Sequence, residues 1–401
     1  MMKSLEIGDC VFFGPFVGHV DRSIKVPPGE EGLLFMRDFL RKNYRPRKLG
    51  DPSFAGGFVG FVSYDLGAKW MGMEHDPVCP DAHFVYIDKV FAFQEESHPQ
   101  LFPAVASSPN LSVNLTKDEY TSKIARIKEF LNAGETYQVN FSQKFQAPYR
   151  GDAFELYQKI TAINPSPYRF FMEADDFAVI SNSPERLFRI TLRQAQRDRI
   201  IETRPMKGTM PRGKTEEEDI QNIHKLLASE KERAELAMIV DLERNDLGKL
   251  CETGTVEVNE DRVVEKYSHV IHTVSNVRGI LAQQYDWYDA LRAMHPGGSI
   301  TGAPKKRTME IIQELEGESR GAYCGCAGYI DLSGECDFNI MIRTLWLDKK
   351  KNGGILTFRS GGGIVVDSDP QKEYEETLHK AAAFFTAIYA SPRHPQVSMS
   401  N

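Results

Sequence analysis

The 401-residue chain has no Cys-x-x-Cys pair, no Cys/His set at zinc spacing and no basic tail. It also has no run of the ~18 apolar residues that a bilayer span requires. Its six cysteines, at 10, 79, 251, 324, 326 and 336, therefore supply neither a zinc site nor a dithiol of that kind. Cys324-Gly325-Cys326 reads first as two small buried residues, since free cysteine behaves as a small hydrophobe, with a redox pair as the alternative. A formal charge of −7 argues against nucleic acid as the main partner. A small anion remains admissible, because a local cluster of Arg, Lys and metal overrides the global field. Met1 to Val11 shows neither a basic stretch nor an apolar stretch of the secretory kind, so no membrane association and a cytoplasmic location are expected. Repeats and low-complexity tracts are also missing.

What is present is ordinary globular composition, 41% hydrophobic and 26% charged, enough for one large core. The polar stretch from Glu95 to Asn114, with Pro99, Pro103 and Pro109, divides a smaller N-terminal region (1–114) from a main domain (115–392) and a tail (393–401). Before it, the glycines of Gly56 to Tyr64 mark a strand that another backbone approaches closely. After it, Thr116 and Glu119 form a capping box for a helix whose stripe is Tyr120, Ile124, Ile127 and Leu131. Strands are expected at Tyr137 to Phe145, Phe177 to Ser181, Arg186 to Thr191, Gly328 to Leu332, Asn339 to Leu347 and Ile355 to Ser360. Helices are expected at Lys231 to Leu242, Tyr285 to Met294, Pro304 to Leu315 and Pro370 to Tyr389. Strand and helix alternate irregularly, which points to an α+β protein of mainly antiparallel sheets packed together, with helices outside.

In the last helix, Asp369 is the expected N-cap and Pro370 the first helical residue. Tyr374, Leu378, Ala381, Phe385 and Ile388 make the expected buried stripe, while Glu373, Glu376 and Lys380 stack on another face. Glu232 and Glu235 repeat the carboxylate spacing. Such pairs suit a hard ion such as Mg²⁺, and equally a solvated helix face. His295 to Lys305 is a Gly-rich turn leading into a helix, where free N–H groups favour an anion; no Gly-Lys-Ser/Thr follows, so it is not a P-loop. Ser360-Gly361-Gly362-Gly363 offers bare amides in the same way, or is a tight turn. Lys207, between Pro205 and Gly208, is a turn lysine or a nucleophile if desolvated. Glu185 is a general acid if burial raises its pKa. His272 is a half-buried structural histidine or an assisting group.

Together the segments Ala234 to Asp246, Pro296 to Lys305, Ile342-Arg343-Thr344 and Gly361 to Lys380 resemble the chorismate-utilising family of anthranilate, aminodeoxychorismate, isochorismate and salicylate synthases. The resemblance runs from about Leu115 to Ala390. It implies a Mg²⁺ ion bridging the ring carboxylate of chorismate to Glu235 and Glu376, with Glu232 and Glu373 around it through water. It further implies that Arg343 and Tyr323 hold the enolpyruvyl carboxylate. The amides of Gly361, Gly362 and Gly363, the hydroxyls of Ser299 and Thr209, and Lys380 would complete the substrate site.

Two positions separate the branches. The position that carries a water-activating lysine in isochorismate and salicylate synthases resembles Gln138 here, which cannot act as a base. The position that is usually alanine in anthranilate synthase is Lys207, which resembles the aminodeoxychorismate branch. The implied chemistry is attack of Lys207 on ring carbon 2, with Glu185 protonating the departing hydroxyl of carbon 4 and His272 assisting. Ammonia then enters at carbon 4. No glutaminase-type cysteine centre is found in the sequence, so a separate glutamine amidotransferase subunit is the expected ammonia source. Anthranilate synthesis and a non-catalytic carboxylate binder or glutaminase scaffold are the rival expectations.

Overall fold

The structure, a computed structural model, describes residues 10–48, 52–92, 111–193, 198–267, 270–350 and 353–389. The tail at 393–401, most of the polar stretch from 95 and His269 lie outside them. In chain order the first elements are β1 (Cys10–Phe13), β2 (Phe16–Val20), α1 (Gly29–Lys42), β3 (Gly57–Val62), α2 (Tyr64–Trp70) and β4 (Ala82–Ala92). Next come β5 (Ser112–Val113), α3 (Lys117–Asn132), β6 (Gln138–Pro148), α4 (Ala153–Ile163), β7 (Tyr168–Glu173) and β8 (Phe177–Ser183). They are followed by β9 (Arg186–Arg193), β10 (Asp198–Arg204), β11 (Met206–Pro211), α5 (Glu216–Ala228), α6 (Glu230–Gly248), β12 (Glu257–Lys266) and β13 (Val270–Ile280). The last are α7 (Trp287–Met294), β14 (Gly302–Ala303), α8 (Lys305–Glu316), β15 (Cys326–Asp331), β16 (Cys336–Asn339), β17 (Thr344–Asp348), β18 (Ile355–Ile364) and α9 (Pro370–Tyr389).

Every described strand pairing is antiparallel and all belong to one network. One arm runs β6-β18-β17-β8-β7. The other runs β3-β15-β16-β9-β10-β13. The N-terminal strands join them: β1 pairs with β7 and β2, β2 with β4, and β4 with β3. The arms face one another across Val59, Phe61, Phe170, Phe177, Val179 and Ala327, and Phe61 sits edge-on to Phe177 and Trp346. Burying a side chain of that size is worth about 1.5–3 kcal/mol, so this seam holds the fold closed. Helices α4 and α9 cover one outer face through Leu156, Ile160, Ala381 and Phe384. Helices α1, α6 and α7 cover the other through Leu33, Met36, Leu236 and Leu291. This is the expected α+β architecture of antiparallel sheet with helices outside.

Local signals behave as the chemistry of helix ends requires. The Thr116 N–H donates to Glu119 Oε2 at 2.7 Å and the Glu119 N–H to Thr116 Oγ1 at 3.2 Å, closing the capping box of α3. Asp369 Oδ1 accepts from the Lys372 N–H at 2.9 Å at the start of α9. Helix α6 extends beyond the expected Leu242 to Gly248, with Ser229 as its cap.

Four expectations are corrected. The Asn339 to Leu347 strand is broken, because Arg343 takes φ 51° and divides β16 from β17. Ser360 to Gly363 is no turn but the end of β18, in register with Gln143 to Asn140 of β6. The buried stripe of α3 uses Phe130, while Leu131 is only partly covered. The stripe of α9 is partly rotated: Ala381 and Ile388 are buried as expected, together with Glu373, Thr377, Phe384 and Ala387, whereas Tyr374, Leu378 and Phe385 are partly covered. The cause is polar, since Ser360 Oγ donates to the Thr377 carbonyl at 2.7 Å and a neighbouring strand glycine leaves room for Glu373. Among the described residues no helix is long and apolar enough to cross a membrane. All six cysteines are free, with Cys324 and Cys326 buried.

Candidate active site

The amine of Lys207 enters the site from β11, whose ladder with β13 is irregular between Lys207 and Thr209. Gly208 between them has φ +76°, which an L side chain adopts only with strain. A Cβ at Gly208 would stand 3.2 Å from Glu232 Oε2 of α6 and 2.8 Å from Leu226 Cδ1 of α5, so side chains of both helices reach the strand closely here. Gly363 of β18 has the same role: a Cβ there would lie 3.0 Å from Lys207 Nζ and 2.9 Å from Gln138 Cδ. The Gln138 amide is fully buried, and neither its oxygen nor its nitrogen has a hydrogen-bond partner among the described residues. Lys207 therefore sits in the angle between β18 and the start of β6, 3.8 Å from Glu235 Oε2 of α6.

Glu185 lies at the turn between β8 and β9 and is 5% exposed. Burial pushes its carboxyl up to about 7, against the opposing pull of the Ser299 hydroxyl and the Lys207 and Lys380 amines. A carboxylic acid half protonated near neutrality, beside a lysine, is equipped to donate a proton. Ser299 Oγ is itself buried and forms no full hydrogen bond among the described residues. The Glu185 carbonyl accepts from the Ile340 N–H at 3.0 Å, which ties this turn to the segment that carries Arg343.

Arg343 precedes β17 in the left-handed region. Desolvation lowers its pKa, and no hydrogen bond or ion pair to its guanidinium is found among the described residues. A strained, largely buried cation without a counter-ion is a receptor for an anion. Tyr323 is 7% exposed, and its turn is held to the Arg343 segment by the Cys324 N–H donating to the Met341 carbonyl at 2.9 Å. His272 of β13 has Nδ1 3.1 Å from the Gly208 carbonyl and 3.0 Å from Thr209 Oγ1. Its Nε2 is buried and without partner among the described residues. Burial, aided by Arg343 and Lys380, depresses its pKa; the ring is therefore neutral, with Nδ1–H given to the carbonyl and Nε2 left as acceptor. The Thr209 hydroxyl, expected on a substrate, is at His272 Nδ1 here.

The carboxylate pairs approach from two helices. A Cβ at Gly362 would be 3.1 Å from Glu373 Oε2, 3.7 Å from Glu376 Oε1 and 3.8 Å from Lys380 Nζ. Lys380 bonds Glu376 Oε1 at 2.7 Å and donates to the Gly361 carbonyl at 3.0 Å. Strand β17 flanks β18 only as far as Phe358, which leaves that carbonyl free for a side chain. Burial raises the pKa of Glu232, and Glu235 and Glu376 add repulsion. Burial likewise raises Glu373, with Glu376 adding repulsion and a 2.7 Å bond from Ser368 Oγ opposing it. The Glu376 side chain is 51% exposed; what desolvation it has is outweighed by Lys380, Lys207 and Lys231, which hold it below the ordinary range. Four carboxylates thus crowd together with lysines as counter-ions. The oxygen-only donor set, with the mutual repulsion that adds to burial in raising Glu232 and Glu373, suits a hard divalent cation. Among the described residues no three acidic, His or Cys side chains are already drawn together as a metal cluster.

Sequence reasoning missed three participants. Lys231 Nζ stands 3.8 Å from Glu235 Oε1, one turn earlier on α6, a spacing that could have been read. Glu243 is 3% exposed, and burial with Asp246 nearby pushes it up to about 8. Arg320 is buried behind the site. A cavity of about 600 Å³ bordered by Tyr64, His75, Glu316 and Arg320 contains none of the expected catalytic residues.

A family model described as chorismate binding enzyme matches residues 28–386. Aminodeoxychorismate synthase component 1 of Bacillus subtilis is 38% identical over 385 residues, covering 86% of this chain and 80% of that one. Anthranilate synthase component 1 of a Synechocystis species is 45% identical over 282 residues, covering 70% of this chain and 55% of that one. The crystal structure of anthranilate synthase component I from Streptococcus pneumoniae aligns with a TM-score of 0.74 at 27% identity, covering 96% of this chain and 94% of that one.

Proposed function

The chain belongs to the chorismate-binding enzyme family, and we propose that within it the protein aminates chorismate at carbon 4, giving 4-amino-4-deoxychorismate for p-aminobenzoate and folate synthesis. The observation that carries this reading is the position of Lys207 Nζ, inside the site against Gly363 and Gln138. An amine there is placed to attack a ring, and a buried amide beside it offers hydrogen bonds but no base.

The Lys207 amine attacks ring carbon 2, both double bonds of the conjugated ring diene shift toward carbon 4, and the hydroxyl of carbon 4 leaves as water with the proton of Glu185. Ammonia then bonds to carbon 4 and gives a proton back to the Glu185 carboxylate, both double bonds return, and the carbon 2–nitrogen bond breaks to restore the lysine. Glu185 is suited to its part by a pKa of about 7. Arg343 pairs with the enolpyruvyl carboxylate through its planar fork, with Tyr323 beside it. His272 Nε2 accepts a hydrogen bond from the reacting hydroxyl or the entering nitrogen. Ser299, Lys380 and the backbone at Gly361 to Gly363 complete the substrate site. Thr209 acts there by holding His272. Glu235 and Glu376, with Glu232 and Glu373 around them, would hold Mg²⁺. When bound, that ion supplies positive charge to the ring carboxylate and fixes its orientation. Ammonia is delivered by a glutamine amidotransferase subunit, a reading supported by relatives that are named as component 1.

Amination at carbon 2 to anthranilate is the rival reading, favoured by the relative at 45% identity. The test is product identity. The purified chain is incubated with chorismate, Mg²⁺ and ammonium, with and without an aminodeoxychorismate lyase. Lyase-dependent p-aminobenzoate is the expected product; anthranilate formed without lyase would replace this reading with its rival.

A further inference from the structure

Several segments of the proposed site converge on a guanidinium that stands behind it. The Arg320 side chain is 1% exposed. Its Nε and Nη2 form a two-point pair with Glu316, at 2.9 and 2.7 Å. The same fork donates to the Ile300 carbonyl at 3.0 Å through Nη1 and to the Asn140 carbonyl at 2.6 Å through Nη2. Its carbon lies 5.6 Å from the ring centre of Tyr323 and 4.8 Å from that of Tyr64. Ile300 follows Ser299, Asn140 lies two residues after Gln138, and Tyr323 is a proposed substrate contact.

The sheet explains why a charge pair is buried here. Strand β14 accompanies β6 only at Val139 and Gln138, so the edge of β6 beyond it needs other partners. Arg320 donates to the Asn140 carbonyl, and Glu316 Oε1 accepts from the Ser142 N–H at 2.9 Å. Those are the bonds a continuing strand would have made at alternate residues. The pair replaces that strand. Burial opposes the charge on Glu316, but Arg320 and Arg359 outweigh it and hold the carboxyl below its usual range. A buried pair of this kind gives little net stability over apolar residues of equal volume. An apolar pair could not serve both edges of the backbone while gripping the Ser299 turn.

We propose that Arg320, held by Glu316, is a positioning residue of the active site. It sets the Tyr323 ring, the Ser299 turn and the Gln138 strand around chorismate, without touching the substrate. The inference rests on the site as assigned above, not on which ring carbon is aminated. An ammonium group in place of the fork keeps the charge but cannot reach Glu316, Ile300 and Asn140 together.

The experiment compares Arg320→Lys with Arg359→Lys in the full chain. Arg359 shares Glu316 at 3.2 Å and is equally buried. Its other side-chain partners are Ser142 Oγ, the Ser319 carbonyl and Glu318; unlike Arg320, it bonds neither the Ile300 nor the Asn140 carbonyl among the described residues. Loss of chorismate is followed at saturating ammonium and Mg²⁺, together with thermal melting. Arg320→Lys is expected to raise KM for chorismate about tenfold and to lower kcat by about ten- to a hundredfold, the scale of a 1 Å misplacement. KM for ammonium should stay within about twofold. Arg359→Lys is expected to lower the melting temperature similarly while keeping kcat and KM. Equal melting losses with wild-type kinetics in both variants would overturn the proposal. If Arg320→Lys does not fold, Tyr64→Leu removes the ring that supports the guanidinium and should raise KM for chorismate severalfold; an unchanged KM in that folded variant overturns it equally. Counting chorismate consumed keeps the two readings separate, because a different product would reject carbon 4 amination and leave the Arg320 comparison intact.

Discussion

Lys207 Nζ and Glu235 Oε2 stand 3.8 Å apart, so the proposed nucleophile is a counter-ion of a proposed metal ligand. A cation held at Glu235 would compete with the lysine for the same oxygen.

Lys207→Ala should therefore lose at least about a hundredfold in 4-amino-4-deoxychorismate formation while chorismate binding changes only severalfold. Steady-state kinetics and calorimetric titration separate the two effects. Wild-type turnover in that variant would remove the covalent step.

As the proposed proton donor, Glu185 is expected to set the alkaline side of the rate profile. Its protonated form is the donor and its pKa is about 7. The competent fraction of free enzyme is thus complete well below pH 7 and falls about tenfold per pH unit above it. A kcat/KM profile should show that limb, and Glu185→Gln should abolish it while costing about 10²–10⁴ in rate.

Glu376→Ala tests the metal reading. Calorimetry with Mg²⁺ is expected to show at least about tenfold weaker binding, and chelation of wild type should abolish turnover reversibly. A Mg²⁺ titration identical to wild type would assign Glu376 to Lys380 alone, its 2.7 Å partner.

Glu243 makes a prediction about stability. Burial raises its folded pKa to about 8, above the unfolded value, so the folded state binds this proton more tightly. The protonated form stabilises below the unfolded pKa, and that advantage is lost as pH rises through about 8. Glu243→Gln should match wild type in melting temperature at pH 5 and exceed it at pH 9. The gain is on the order of 4 kcal/mol, because each tenfold change in proton affinity is worth roughly 1.4 kcal/mol.

The elements that carry the site are legible where local chemistry dominates. The capping box at Thr116 and the N-cap at Asp369 depend on residues a few positions apart; the strand at Gln138 to Phe145 is also found, but its first six residues are all buried rather than alternating. Strands β10 to β13 escape such a reading, since β12 alternates charged residues with partly covered ones and shows little apolar pattern. The rotated stripe of α9 is hidden from periodicity because Thr377 is buried by bonds to Gln143 and Ser360, far away in sequence.

The sequence by itself determined the antiparallel α+β class, the helix starts at Thr116 and Asp369, and the residue types that suit an anion site: an amine, an acid and two carboxylate pairs. Motif order placed those types in one family, because spacing within a motif is a property of the chain. Only the tertiary structure decided that Gly363 of β18 lets Lys207 stand against Gln138. It also decided that Glu185 is buried enough to hold its proton near neutrality, and that Arg320 and Glu316 complete the edge of β6. Each of these depends on close approach or desolvation between segments distant in the chain. Those are set by packing, and no local pattern encodes them.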